Sequence, residues 1–157
     1  MRWMFFILLF LGLQATANDS TRLYNPKADA AKDVAQLLVR AKKENKSLLL
    51  QVGGNWCLMC YRLNAFVQTD STLKKLAADN YLIYHLNYSP ENKNGAYLQK
   101  LGNPQRYGFP VLVVLDAEGN RLHTQNMAQM LRGNGYDYEK IKAFLSKWGP
   151  VATTGQL

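Results

Sequence analysis

Cysteine and histidine are scarce in this 157-residue chain, at two each. Two cysteines cannot build the multi-bridge framework of a tiny secreted scaffold. With two lone histidines they also fall short of a zinc quartet, so no metal site is expected. Acidic residues are few as well: 11 Asp plus Glu stand against 19 Lys plus Arg, a net charge of +8. The basic residues are scattered, densest at Lys42-Lys43-Lys46 and Lys74-Lys75. Nucleic-acid binding wants a basic stripe, so the charge reads as solvated helix faces and no nucleic-acid partner is expected. No GxGxxG is present, and neither Gly53-Gly54 nor Gly133-Asn134-Gly135 replaces it, so no flavin or nicotinamide cofactor is expected. Internal repeats and low-complexity stretches are absent too. What remains, 48% apolar and 19% charged, is an ordinary globular balance. It excludes a disordered, collagen-like or coiled-coil chain and fits one domain.

The first residues have a different character. Met1-Arg2 is a short positive start, and Trp3 to Leu13 is apolar apart from Gly12. Gln14 leads into the small-x-small site Ala15-Thr16-Ala17, and Asn18-Asp19-Ser20 is polar. This is the layout of a secretory signal peptide over residues 1–17, with a retained anchor as the alternative. The run is shorter than the about 20 residues of a membrane span. Export, to a periplasm or the cell exterior, is therefore expected, and it places both cysteines where disulfides persist. The rest divides into a flexible leader (18–24), one domain (25–149) and a C-terminal tail (150–157).

Asn25-Pro26 carries a helix-start signal, with Asn as N-cap and Pro in the first turn. Ala28, Ala31, Val34, Ala35, Leu37, Leu38 and Ala41 follow at helical spacing. Residues 47–52 read as a buried strand, broken by Gly53-Gly54-Asn55. Trp56 opens a second helix with Cys57, Cys60, Leu63, Phe66 and Val67 along one side, and Asp70-Ser71 starts a third. Residues 81–87 form a second strand, 96–101 a short helix and 110–115 a third strand. A hairpin turn at 116–120 leads into a fourth strand from Arg121. Residues 127–135 fit no period. Residues 136–148 make a last amphipathic helix, stopped by Gly149-Pro150. Strands alternating with helices, then a hairpin, imply an α/β domain with a mixed sheet covered on both faces.

The most informative segment is 48–67, LLLQVGGNWCLMCYRLNAFV. Two cysteines at i and i+3 open a helix that follows a buried strand. The first sits at the helix N-terminus, where unpaired N–H groups and the dipole stabilise a thiolate. The thiolate is the attacking species in disulfide exchange. The second lies one turn inward on the same face. The expected pair is an exposed nucleophile, Cys57, and a shielded resolving thiol, Cys60. A bare CxxC is also half of a zinc site, but no second CxxC or CxxH is present.

At these residues the chain resembles the thioredoxin-like family. Trp56-Cys57-Leu58-Met59-Cys60 matches its WCxxC motif, Phe109-Pro110 its cis-proline, and Asp116 to Asn120 its following turn. The resemblance implies a thioredoxin fold: a four-stranded mixed sheet flanked by helices on both faces, here with an extra N-terminal helix. It implies that Pro110 lies against the dithiol and that the Phe109 backbone pairs with an incoming peptide. Trp56 would shape the docking surface. The implied activity is thiol–disulfide exchange with a protein or peptide substrate, as reductase or isomerase. The chain would act as a monomer reset by a separate redox partner. Three positions depart from the family. Gln51 stands where a buried acid often takes the resolving thiol's proton, His85 is the nearest match to a buried lysine, and Tyr61 follows the second cysteine. Gln51 and His85 are therefore the proton-transfer candidates. The rival readings are a non-catalytic peptide-binding adaptor and a copper chaperone using Cys57, Cys60 and Met59.

Overall fold

The computed structural model describes residues 22–150, so the signal-peptide expectation and the residues beyond 150 lie outside the described part. Helix α1 (Ala30–Glu44) begins five residues after Asn25. Asn25 instead closes a turn, its side chain accepting from Lys27 N–H at 2.9 Å. Asp29 is the N-cap, taking the N–H groups of Ala31 and Lys32. Both residues are good caps by type, and the extended backbone at Asp29 decides between them.

Strand β1 (Ser47–Gly53) is followed by helices α2 (Leu58–Thr69) and α3 (Ser71–Asn80) and by strand β2 (Tyr81–Asn87). Helix α4 (Gly95–Lys100) and a 3-10 turn at Pro104–Tyr107 lead to strands β3 (Val111–Leu115) and β4 (Arg121–Asn126). The stretch without a period resolves into a 3-10 turn at Met127–Met130 and a small hairpin of β5 (Leu131–Arg132) and β6 (Gly135–Tyr136). Helix α5 (Tyr138–Lys147) closes the fold, with Asp137 as its cap.

The main sheet runs β2-β1-β3-β4. β1 is parallel to β2 and antiparallel to β3, and β4 is antiparallel to β3. Strand side chains alternate between faces. Leu48, Leu50 and Val52 of β1 join α1 and α4 in one core. Leu49 joins α2, α3 and α5 in the other. Gln51 and Gly53 follow Leu49 on the α2 face, and His85 is the registered partner of Gln51 on β2. The alternation thus delivers a polar pair to the underside of α2.

Candidate active site at the head of helix α2

Between β1 and α2 the chain makes a tight turn, in which Cys57 N–H donates to Gly54 O at 2.9 Å. Cys57 is the N-cap of α2. It is joined by a disulfide to Cys60, and the two Cα atoms are 5.3 Å apart. Cys57 Sγ accepts the backbone N–H of Cys60 at 3.2 Å. A cysteine at an N-cap takes one of the orphan donors of the helix, an interaction that favours a thiolate. Cys57 is 5% exposed and Cys60 0%. The inequality has the expected sign, but Cys57 is not the exposed thiol that its position suggests. Leu23, Tyr24, Met59 and Phe109 pack around the disulfide and leave only a narrow window at Cys57.

The outward rim is aromatic and apolar. Phe109-Pro110 is a cis peptide, as the motif implied. Trp56 is 54% exposed. Its indole N–H donates to Tyr88 O at 2.9 Å, and its ring meets Phe109 edge-on at 5.1 Å. Tyr88 packs on Phe109 at 5.0 Å. Leu58, between the cysteines in sequence, is largely exposed. Gly54 belongs to this arrangement: a Cβ there would strike the Trp56 indole and Tyr88 O.

The inward side is polar and closed. Gln51 is buried, and its Nε2 donates to Tyr24 Oη at 2.8 Å and to Cys60 O at 3.1 Å. Tyr24 meets His85 edge-on at 5.4 Å. Burial holds the His85 imidazole below its ordinary pKa and pushes the Tyr24 phenol above its own. A neutral imidazole and a neutral phenol therefore stand beside Gln51. His85 Nε2 is buried without a hydrogen-bond partner among the described residues.

Tyr24 corrects the sequence reading. It falls in the segment the sequence reads as a flexible leader, yet it is 1% exposed. Its backbone is clamped by Asn55, which accepts Tyr24 N–H at 3.1 Å and donates to Tyr24 O at 2.8 Å. Leu23 N–H reaches Tyr61 Oη at 3.4 Å, and Tyr61 in turn donates to Asn55. Gly53 makes room for the arrangement. A Cβ there would collide with both Cys60 Sγ and Tyr24 Oη. Met59 is the third ligand of the copper reading. Its sulfur faces Arg62 Nη1 at 3.8 Å, a cation beside the thioether that copper would need.

A sheet in this order, a helix-capping CxxC disulfide and a cis Phe109-Pro110 peptide whose Phe109 packs against it define a thiol–disulfide oxidoreductase of thioredoxin type. The sequence model of the thioredoxin-like family matches residues 29–117, and the chain belongs to that family. It is 26% identical over 118 residues to the disulfide bond reductase DsbH of Chlamydia pneumoniae, covering 71% of this chain and 69% of that one. Among solved structures it resembles a disulphide isomerase from Xylella fastidiosa Temecula1. That match has a TM-score of 0.64 at 26% identity and covers 79% of this chain and 94% of the other. It also shares its fold with the reduced C-terminal domain of Neisseria meningitidis DsbD. There the TM-score is 0.55 at 18% identity, over 77% and 97% of the two chains.

Proposed function

We propose that this protein is an exported reductase of protein disulfides. The observation that carries the direction is the meagre stabilisation available to a Cys57 thiolate. One backbone N–H reaches its sulfur. The intervening Leu58 and Met59 side chains have no N–H or positive charge to offer. A strong oxidant holds its nucleophile as a very low-pKa thiolate, which makes its reduced form stable. With less help, the reduced form here gives up its electrons more readily. The relative named a reductase supports the same direction, and the N-terminal sequence supports export.

Cys57 attacks a substrate disulfide, one substrate sulfur leaves as a thiol, and a mixed disulfide remains. Cys60, closed from water, attacks Cys57 Sγ, and its proton passes to the substrate sulfur that leaves. The Cys57–substrate bond breaks, the substrate leaves reduced, and the 57–60 disulfide reforms. A separate reductant returns two electrons. Trp56, Phe109 and Pro110 form the surface on which an extended peptide lies. Gln51 cannot take the Cys60 proton; it orders Tyr24 and the first turn of α2 instead. Equilibration with a glutathione buffer tests the direction. The expected potential lies at roughly −180 to −270 mV, with insulin reduced in a coupled assay. A value near about −120 mV would reverse it.

A further inference from the structure

The mechanism leaves one buried phenol unused. Tyr24 lies beneath the disulfide and is fixed from three directions. Asn55 holds its backbone, Gln51 donates to its oxygen, and the His85 ring packs against its edge. An oxygen that accepts from Gln51 keeps its own proton to donate elsewhere. Gly53 shows where the oxygen stands: a Cβ there would strike Tyr24 Oη and Cys60 Sγ alike, so the two atoms flank the same point. In the disulfide, Cys60 sulfur is a weak acceptor. Once the bond opens, the same sulfur can carry a full negative charge, and hydrogen bonds to charged acceptors are the strong ones.

We propose that Tyr24 is a positioning residue for Cys60: its hydroxyl, held by the Gln51 amide, donates a hydrogen bond to the Cys60 sulfur when the disulfide is open. The phenol thereby replaces, by hydrogen bonding, the buried acid missing at position 51. It takes no proton. It stabilises the Cys60 sulfur once its proton is gone, and it aims that sulfur at Cys57. The titratable groups facing this spot are Cys57 and Tyr61 from α2, His85 from β2 and Tyr136 from β6. None of these is a carboxylate. His85 titrates below its ordinary value and Tyr136 is pushed up to about 12, so a window from about pH 7 to 10 is free of both.

The proposal rests on the oxidoreductase reading, and the test separates the two. The equilibrium constant for reduction by glutathione is measured across pH for the wild type and for Tyr24→Phe, which keeps the ring. The two curves should coincide on the acid side of the Cys60 titration. They should part as pH rises through the Cys60 titration, with Tyr24→Phe about tenfold lower, or about 30 mV for a two-electron couple. A 3-fluorotyrosine at position 24, a stronger donor of almost the same shape, should move the high-pH constant the other way. Curves that coincide throughout, or that differ by one constant factor at every pH, would overturn the role of Tyr24. So would a fluorotyrosine protein indistinguishable from the wild type. A couple that does not exchange with glutathione in any of the proteins would instead defeat the oxidoreductase reading.

Discussion

The two sulfurs of one disulfide, three residues apart, stand in opposite surroundings. Phe109 packs against Cys57 and carries Trp56 and Tyr88 in a rim that reaches solvent, held by one edge-on and one tilted ring contact and one indole hydrogen bond. Around Cys60 the neighbours are Gln51, Tyr24 and a glycine, closed from water and tied by hydrogen bonds. An apolar rim can change partners at little cost to the fold, because half-exposed side chains contribute little to stability. A closed polar pocket cannot, because breaking the Gln51 hydrogen bonds would leave buried polar groups unpaired. Substrate handling should therefore respond to changes on the outer side, and stability and redox balance to changes on the inner side.

The largest expected effect is inside. Gly53→Ala places a methyl group against Cys60 Sγ and Tyr24 Oη. Overpacking of this kind costs about 1–3 kcal/mol, which urea denaturation of the oxidised protein would read. An unchanged midpoint would mean that the pocket is looser than its contacts suggest.

Trp56→Ala sharpens the contrast from the other side. The indole is more than half exposed, so the urea midpoint should fall less than in Gly53→Ala. The lost ring contact with Phe109 is worth about 0.5–1.5 kcal/mol. If substrate peptides use that rim, KM for insulin should rise about two- to tenfold with kcat little changed. A large loss of stability would place Trp56 with the core instead.

A smaller effect separates the sides by pH. Burial lowers the folded-state pKa of His85 from 6.5, so the unfolded chain takes up the proton first as pH falls. The stability tied to the neutral ring is present above about pH 6.5 and is lost as pH falls through the lowered folded value. Wild-type protein should thus lose more stability between pH 7 and 5 than His85→Leu does. Equal losses in the two proteins would show that His85 is not buried neutral.

The outer side was largely legible from sequence, because WCxxC and Phe-Pro are local strings whose residues touch in the fold. Strand β2 was legible for the same reason, and the start of α2 to within two residues: their signals are carried by neighbouring residues. The inner side was not. Gln51 stood out as a missing acid, but its replacement comes from Tyr24, 27 residues away in the chain and outside any periodic element. Gly53-Gly54 read as a strand breaker, whereas each glycine makes room for a particular neighbour, a fact invisible without the packing. Asn25 and Asp29 both qualify as caps, and only backbone conformation chooses between them. His123 stacks on Trp148 at 4.3 Å, a contact between β4 and the end of α5 that no local pattern signals.

The division of labour between the two sulfurs is tested most directly by trapping. Cys60→Ser and Cys57→Ser proteins would each be reduced, mixed with disulfide-bonded insulin and quenched with acid, and the adducts mapped by mass spectrometry. Mixed disulfides should accumulate on Cys57 of the Cys60→Ser protein and be missing from Cys57→Ser. Adducts formed as readily through Cys60 of the Cys57→Ser protein would contradict the assignment of the outer sulfur as nucleophile and the inner one as resolving thiol.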